Sequence, residues 1–377
     1  MGGYFDYAST APIRPSVKQA VLPFLGDSFG NPSAVSKEGQ TARFAIEQAR
    51  RQVATGIGAQ PSEITFTSGG TESNHWTLTG AFEMGARKGK KHILTTAIEH
   101  PSVLKTAQWL KSFGASLTVL PVTSDGVVDI QSVKEALRPD TCLCSVMWVN
   151  NELGSISPIQ EISDLCREQN ILFHVDAVQA LPALSIDLSS CPVDLLSLSA
   201  HKIGGLKGTG ALYIREGIPL PSVFHGGAQE RGKRAGTENV PGIVAFGSAI
   251  EECISEKLLH TKRMERFREI ILENLLSIQG LQVNSPKNGI PSIVNLSIEG
   301  IQNEDLLTCA DMEGLSFSAG SACSSGSLDP SPILLAIGLS PERARTSFRL
   351  SMGYGTTQED VDFLCRTLPK IIERMRK

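Results

Sequence analysis

The sequence predicts an α/β protein with a large, mainly parallel sheet domain and a smaller α+β domain. From about residue 45 to 250, strand-like runs alternate with helix-like segments, and these runs are apolar throughout. Strands of this kind are buried on both faces, as in a parallel sheet covered by helices. After about residue 250 the alternation ends, and charged helical patterns mix with short strands.

The large domain is predicted to span residues 15–250. Its strands are "EITFTS" (63–68), "KHILTTAIEH" (91–100), "TCLCSVMWV" (141–149), "ILFHV" (171–175), "VDLLSLS" (193–199) and "GALYIR" (210–215). The helix after the third strand is expected to begin with Ser157 as N-cap, Pro158 at the first helical position and Gln160 as capping-box partner.

The small domain is predicted to combine residues 1–14 with 251–377. A long charged helix over about 239–278 leads to the strand "PSIVNLSI", a helix near 303–313, the strand "TSFRLSM" and a final helix capped at Thr357. The segment "SAGSACSSGSLDPS" between them is too rich in serine and glycine to pack a core.

Composition and charge exclude several classes of function. The chain has 377 residues, a net charge of −4 and no basic stripe, which argues against nucleic acid as a partner. It has no run of about 18 apolar residues, so we expect no membrane span, and its start, "MGGYFDYASTAP", does not resemble a signal peptide. The eight cysteines form no CxxC pair, so we expect a reducing cytoplasm and no metal site.

A phosphate site is one interpretation of "TFTSGGTES", in which a strand is followed by a glycine turn and a helix start. Gly70 and Thr71 open this helix, and free N–H groups at a helix N-terminus favour an anion. An ordinary glycine turn explains the same residues equally well.

The other predicted strands also end in polar residues. His100, Asn151, Asp176 and Lys202 each follow an apolar run. Taken singly, the histidine is more often a core or surface residue, and paired asparagines are more often turn formers. A carboxylate directly after a buried strand is costly unless a cation meets it. Because ligands bind beyond the carboxyl ends of such strands, we expect these side chains to share one pocket.

These residue types together match the requirements of pyridoxal 5'-phosphate. That cofactor needs a lysine to carry it, a phosphate cradle, and an aspartate that keeps its pyridine nitrogen protonated so that the ring can withdraw electrons. A nicotinamide site would instead show GxGxxG after an early strand, and a nucleotide P-loop would show GxxxxGK[ST]; neither motif is present.

The chain resembles the cysteine desulfurases of the NifS/IscS type, within the class V aminotransferase group. The resemblance runs nearly end to end. It rests on "YFDYASTAP", "FGNPS", "FTSGGTESN", "EH", "VNNELG", "HVDAVQ", "SAHKIGGLKGTGALY", "HGGAQERGKRAGTEN", "SAGSACSSGSLDPS" and "FRLSMG". It implies a pyridoxal-phosphate-dependent transferase of the aspartate aminotransferase-like fold, fold type I.

The resemblance also implies a role for each site residue. Lys202 would carry the cofactor, Asp176 would pair with its pyridine nitrogen, and His100 would stack on its ring. The remaining cofactor-binding residues would contact its phosphate or its phenolic oxygen: Gly70, Thr71, Asn151, Gln179, Ser199 and His201. Arg349 and Asn151 would clamp the substrate carboxylate. Thr237 would reach the phosphate of a neighbouring subunit, so a homodimer is expected.

Cys323 is the residue that selects the reaction. In the family, the matching thiol attacks the sulfur of bound L-cysteine, which leaves L-alanine and an enzyme persulfide. The thiolate is the reactive form of such a group. We expect the sulfur to pass to an acceptor protein in iron–sulfur cluster assembly, although the sequence does not identify this protein.

Other class V activities remain open at this point, namely a selenocysteine lyase or an aminotransferase; the loop around Cys323 argues against the aminotransferase. A non-catalytic protein of the same fold would have no use for Lys202, Asp176 and His100.

Relatives with a housekeeping role continue beyond the last helix with a tail that docks a scaffold protein. This chain ends at "IIERMRK", so we expect weak or absent docking of that kind.

Overall fold

The computed structural model describes residues 2–320 and 329–377. In the part of the chain that it describes, the strands are Gly3–Tyr4 (β1), Ile64–Thr67 (β2), His92–Thr96 (β3), Ser116–Leu120 (β4), Thr141–Met147 (β5), Leu172–Asp176 (β6), Leu195–Ser199 (β7), Gly210–Ile214 (β8), Leu281–Val283 (β9), Ile293–Ile298 (β10), Leu315–Ser316 (β11) and Ser347–Ser351 (β12).

Helices alternate with these strands. They are Pro15–Val21 (α1), Lys37–Gly56 (α2), Gly70–Ala86 (α3), Pro101–Leu110 (α4), Ile130–Ala136 (α5), Ile159–Glu168 (α6), Val240–Ser255 (α7), Lys257–Leu275 (α8), Asn303–Met312 (α9), Pro332–Ala336 (α10), Pro341–Arg345 (α11) and Gln358–Met375 (α12). None of the helices described here is long and apolar enough to cross a membrane.

The central sheet has seven strands in the order β2-β8-β7-β6-β5-β3-β4. Strands β3 to β7 are parallel, whereas β8 is antiparallel to both of its neighbours, β7 and β2. The link between β7 and β8, residues 200–209, is shorter than the dozen or so residues that a parallel crossover needs. The predicted α/β fold with a mainly parallel sheet is therefore confirmed.

Both faces of this sheet are buried. Neighbouring residues of one strand point to opposite faces, and Ile93 and Leu94 accordingly pack into different apolar clusters. Leu195 and Leu196 also pack into two different clusters, on opposite faces of the sheet. Strand β4 was not predicted from the sequence, because it lies at the sheet edge and is half-exposed rather than apolar throughout.

The C-terminal part of the chain has its own apolar cluster. Strands β12, β10 and β9 form an antiparallel sheet, and α8, α9 and α12 contribute side chains to the same cluster. The N-terminus joins this part of the molecule, because β1 pairs with β11 and Phe5 is fully buried in the cluster. Thr357 caps α12 as predicted, in a capping box with Asp360.

Two helix predictions were wrong in detail. The single helix expected over 239–278 is two helices, α7 and α8, which bend apart at Glu256. They separate because Phe246 on α7 packs into the large core, whereas Phe267 on α8 packs into the C-terminal cluster. Helix α6 begins at Ile159, with Pro158 in the N-cap position and no side-chain cap, so Ser157 does not cap it.

Candidate active site

A cavity of about 200 Å³ lies where the carboxyl ends of β5, β6 and β7 meet the starts of α3 and α4. Most of the predicted site residues line it: Gly70, Thr71, His100, Asn151, Asp176, Gln179, Ser199, His201, Lys202 and Arg349. These predicted site residues therefore lie together in the folded chain, with Arg349 contributed by β12 of the smaller sheet.

One end of the cavity suits a phosphate. Helix α3 begins at Gly70, no side chain of the described chain caps it, and Gly70 and Thr71 of its first turn line the cavity. A Cβ on residue 70 would lie 2.6 Å from Val178 Cγ2, which explains the glycine. Thr71, Ser199 and His201 line the same cavity, so backbone and side-chain donors are both available for an anion.

Asp176 ends β6 with a carboxylate that is held on both oxygens and is only 3% exposed. Val178 N donates to Oδ1 at 3.0 Å, and Asn74 Nδ2 donates to Oδ2 at 2.7 Å. Asn74 also donates to Ser102 Oγ at 2.9 Å. A fixed, buried carboxylate that faces a cavity favours a cationic ligand group such as a protonated pyridine.

His100 is the N-cap residue of α4, and its ring is oriented by Ser102. Nδ1 accepts from Ser102 N at 3.1 Å and lies 2.7 Å from Ser102 Oγ. In the neutral ring the proton is therefore on Nε2. Burial lowers the pKa of His100, Asp176 opposes this effect and Lys202 adds to it, so the ring is neutral at pH 7.

Glu99, the residue before His100, adds no negative charge beneath the cavity. Its carboxyl accepts from Thr96 Oγ1 at 2.6 Å and from Met147 N at 2.9 Å. Burial raises the pKa of Glu99 to about 8, so this group is mostly protonated at pH 7. The carboxylate of Asp176 therefore has no ionised neighbour at Glu99 over most of the molecules at pH 7.

Lys202 lies in the short 3-10 turn that follows β7. Its Nζ donates to the carbonyl oxygens of Ala8 and Ser9, the latter at 2.9 Å. Ala8 and Ser9 also line the cavity. The lysine is therefore held at the strand end, with its amine inside the cavity, by a segment from the distant N-terminus.

Arg349 on β12 is 1% exposed and lies beside Asn151, as predicted. Its Nη1 donates to the carbonyl of Asn151 at 2.8 Å, and its Nη2 donates to Asp6 Oδ1 at 2.7 Å and to Ser9 Oγ at 2.9 Å. The pair with Asp6 was not predicted from the sequence, because the two residues are at opposite ends of the chain.

Several buried polar atoms of the cavity have no hydrogen-bond partner within residues 2–320 and 329–377. They include the amide oxygens of Asn74, Asn151 and Gln179, all of which line the cavity. Buried polar groups are rarely left unpaired, so their convergence indicates a polar ligand. These oxygens accept, so the ligand or substrate must bring donors of its own. The phosphate cradle, Asp176 and Lys202 fit the phosphate, the ring nitrogen and the aldehyde of pyridoxal phosphate.

Two predicted site residues are not among those described above. Thr237 is exposed and lies outside the cavity, and Cys323 lies outside the described residues. The other seven cysteines are free, and four of them are buried. Burial raises the pKa of Cys142 and of Cys365 to about 11, so these thiols form little nucleophilic thiolate at pH 7.

The segment that carries Thr237 is fixed by buried charges. Arg50 donates to both oxygens of Glu230, at 2.7 and 2.8 Å, and both residues are buried. Arg234 donates to Glu72 in the first turn of α3 at 3.0 Å. This loop is thereby attached to the phosphate end of the cavity, a connection that the sequence did not reveal.

The fold and the cavity define a pyridoxal-phosphate-dependent enzyme. The family model described as aminotransferase class-V matches residues 3–364, and the chain therefore belongs to the class V aminotransferase family. The enzymes of this family use pyridoxal phosphate, which agrees with the cavity.

Curated relatives narrow this assignment to the cysteine desulfurases. Cysteine desulfurase IscS of Clostridium botulinum (strain Hall) is 44% identical over 378 residues, which cover 99% of this chain and 95% of that protein. Cysteine desulfurase IscS of Dictyoglomus turgidum is 45% identical over 375 residues, with the same coverage. The predicted resemblance to NifS/IscS-type enzymes is confirmed.

Solved structures agree with the curated relatives. A NifS-like protein superposes with a TM-score of 0.94 at 34% identity and covers 99% of this chain and 100% of that one. The structure of SspA in complex with cysteine has a TM-score of 0.83 at 38% identity and covers 93% of this chain and 99% of that one.

Proposed function

We propose that this protein is a pyridoxal-phosphate-dependent cysteine desulfurase that converts L-cysteine to L-alanine and receives the sulfur as a persulfide on Cys323. One observation carries this proposal: a chain that is similar over 99% of its length to cysteine desulfurases has Lys202, Asp176 and His100 around one cavity. The similarity favours this activity over a selenocysteine lyase or an aminotransferase.

We propose a role toward the cofactor for each of these cavity residues. When bound, pyridoxal phosphate withdraws electrons from the bonds at the substrate's α-carbon. Lys202 would hold it covalently, and Asp176 would keep its ring nitrogen protonated. Gly70, Thr71, Ser199 and His201 would bind the phosphate. Asn151 and Gln179 would donate to the phenolic oxygen through their amide groups.

Three residues of the cavity would act on the substrate or on protons during the reaction. Arg349 and Asn151 would bind the carboxylate of L-cysteine, and the contact with Asp6 orients the guanidinium for this task. His100 would stack on the ring and move protons through Nε2, since Nδ1 is occupied by Ser102. Because its pKa is lowered, His100 is available at pH 7 as a neutral base.

The transfer of sulfur from L-cysteine to Cys323 needs no external oxidant. The thiolate of Cys323 attacks the sulfur of L-cysteine, an S–S bond forms, and the Cβ–S bond of the substrate breaks. The electron pair of that bond stays with the substrate, whose Cβ takes up a proton to give L-alanine. The enzyme keeps the sulfur as a persulfide, which passes to an acceptor thiol for uses such as iron–sulfur cluster assembly.

We also propose that the enzyme is a cytoplasmic homodimer in which Thr237 completes the phosphate site of the partner subunit. The exposure of Thr237 and its fixed loop support this arrangement.

Seven free thiols support a reducing compartment. The separate apolar clusters support a division into a large domain, 15–250, and a small domain, 1–14 with 251–377.

The proposed activity is tested by incubating the purified holoenzyme with L-cysteine and a reducing thiol. We expect L-alanine and sulfide in equal amounts. Lys202→Ala is the matched control and should release neither product. Turnover of selenocysteine without turnover of cysteine, or transfer of the amino group to a keto acid, would contradict the proposal.

A further inference from the structure

The carboxylate of Glu152 lies between the two ends of the segment that carries Cys323. Glu152 follows β5 in the turn after Asn151 and is 2% exposed. Ser331 Oγ donates to its Oε2 at 2.6 Å. On the other side, a Cβ placed on Gly320 would lie 3.1 Å from the same Oε2. One carboxylate thus accepts from Ser331, just after residues 321–328, and lies close beside the backbone of Gly320, just before them.

The backbone of Glu152 is fixed independently of that segment. Asn150 Oδ1 accepts from the N–H groups of Glu152 and Leu153, both at 2.9 Å, and Asn150 Nδ2 donates to Ile98 O at 3.0 Å. Asn295 Nδ2 donates to the carbonyl of Glu152 at 3.3 Å. The turn that offers Asn151 to the cavity therefore holds Glu152 in place as well.

The residues on both sides of 321–328 are attached to the active site. Before it, Ser318 and Arg349 exchange backbone hydrogen bonds at 3.2 and 2.6 Å. After it, Ser331 caps α10, and Ile333 and Leu334 of this helix pack with Leu153, the neighbour of Glu152. Among the described residues, the side chain of Glu152 lies between these two flanks.

We propose that Glu152 is a positioning residue for sulfur transfer, which fixes the residues on either side of 321–328 and so determines how often the Cys323 thiol reaches the substrate. The proposal rests on the desulfurase function proposed above. A thiol reacts only within about 3–3.5 Å of the substrate sulfur. The effective concentration of a tethered group depends on where the ends of its tether are held, so releasing those ends should slow transfer without weakening substrate binding.

The test compares Glu152→Ala, Glu152→Gln and two serine variants. Loss of a positioning contact in Glu152→Ala should lower kcat about tenfold and leave KM within about twofold. Glu152→Gln keeps an oxygen that accepts from Ser331 and should stay within about threefold of wild type. The cofactor absorbance should be unchanged in both variants, because Glu152 is not among the residues that line the cavity.

Ser331→Ala and Ser340→Ala form a matched pair. Each serine caps a five-residue helix that begins with proline, but Ser331 donates to Glu152, whereas the side chain of Ser340 caps Arg343 N. We expect Ser331→Ala to lower kcat severalfold and Ser340→Ala to leave it unchanged. Equal losses in the two variants would overturn the proposal, because capping alone would then explain them.

A second readout does not depend on turnover. Iodoacetamide labelling followed by mass spectrometry gives the alkylation rate of Cys323, with Cys309 on α9 as internal reference. We expect Glu152→Ala to alkylate Cys323 at least about threefold faster than wild type. An unchanged alkylation rate of Cys323 together with wild-type kcat would overturn the proposal. If Glu152→Ala does not fold, Glu152→Asp replaces it in both assays. Absence of alanine production by wild type would instead refute the desulfurase function, and the labelling would still decide the role of Glu152.

Discussion

On one side of the active-site cavity, residues come from the strand ends and helix starts of a single sheet; on the other, they come from opposite ends of the chain. The first group, here called the cofactor floor, comprises Asn74, His100, Asp176 and Lys202. The second, the substrate wall, comprises Asp6, Ser9, Ser318 and Arg349, joined by hydrogen bonds between residues more than 300 positions apart. The sheet therefore places the backbone of the floor, whereas contacts between distant segments build the wall. The two meet at Ser9, whose carbonyl accepts from Lys202.

The largest expected effect is on the cofactor floor. Lys202→Ala removes the only amine that this account assigns to the covalent bond with the cofactor. We expect the purified variant to lose the covalent cofactor absorbance near 420 nm, about the wavelength typical of such a lysine adduct, and to show no turnover. Normal turnover by Lys202→Ala would remove this residue from its proposed role.

Asp176→Asn tests the charge of the floor with little change in shape. The variant keeps an oxygen for Val178 N but cannot stabilise a protonated pyridine as an ion pair. We expect kcat to fall about 100-fold, corresponding to the loss of ~3 kcal/mol of charged hydrogen bonding. Steady-state kinetics with cofactor in excess measures this effect, and a variant with wild-type kcat would contradict the pyridinium role.

The substrate wall should respond differently. Asp6→Asn removes the ion pair that orients Arg349 but leaves the floor intact, so the cofactor spectrum should not change. We expect the KM for L-cysteine to rise about tenfold, which corresponds to ~1.4 kcal/mol of lost binding. A loss of bound cofactor in Asp6→Asn would show that floor and wall are not separate.

The smallest expected effect concerns stability beneath the floor. His174 lies two residues before Asp176, between Ser145 Oγ at 2.8 Å and Ser197 Oγ at 2.9 Å. Burial lowers the pKa of His174 to about 3, whereas in the unfolded chain it is about 6.5. Below that value the unfolded state binds more protons than the folded state, so stability falls as the pH is lowered, by at most ~1.4 kcal/mol per pH unit for this residue.

His174→Gln keeps hydrogen-bonding groups for both serines but does not titrate. We expect the Tm of the variant to decline less between pH 6.5 and 5 than that of wild type, by about 2 °C. Parallel curves of Tm against pH would show that His174 does not contribute to the acid sensitivity of the fold.

The cofactor floor could be predicted from the sequence because strand ends are visible as apolar runs that stop at polar residues. Asp176 and Lys202 both follow such runs, and a parallel sheet places all these ends at one edge. Asn74 was missed as a site residue because nothing in its own helix shows that it reaches Asp176.

The substrate wall could not be predicted from patterns of this kind. Asp6 and Arg349 have no sequence spacing that indicates a pair, and Glu152 shows its contacts with Gly320 and Ser331 only in the folded chain. The same limit explains why the break at Glu256 was missed, since a continuous helical pattern does not show that α7 and α8 pack against different cores. Arg349 itself was predicted only through resemblance to a family.

The central claim is that Cys323 accepts the sulfur of L-cysteine, and mass spectrometry of the holoenzyme after brief exposure to L-cysteine tests it most directly. We predict one added sulfur, about 32 Da, on the peptide that contains Cys323, as a persulfide. Cys323→Ser, which replaces a strong nucleophile by a poor one at neutral pH, should keep its bound cofactor, gain no sulfur and form almost no alanine. Added sulfur on any of the other seven cysteines, or sulfide release by Cys323→Ser at the wild-type rate, would contradict the account.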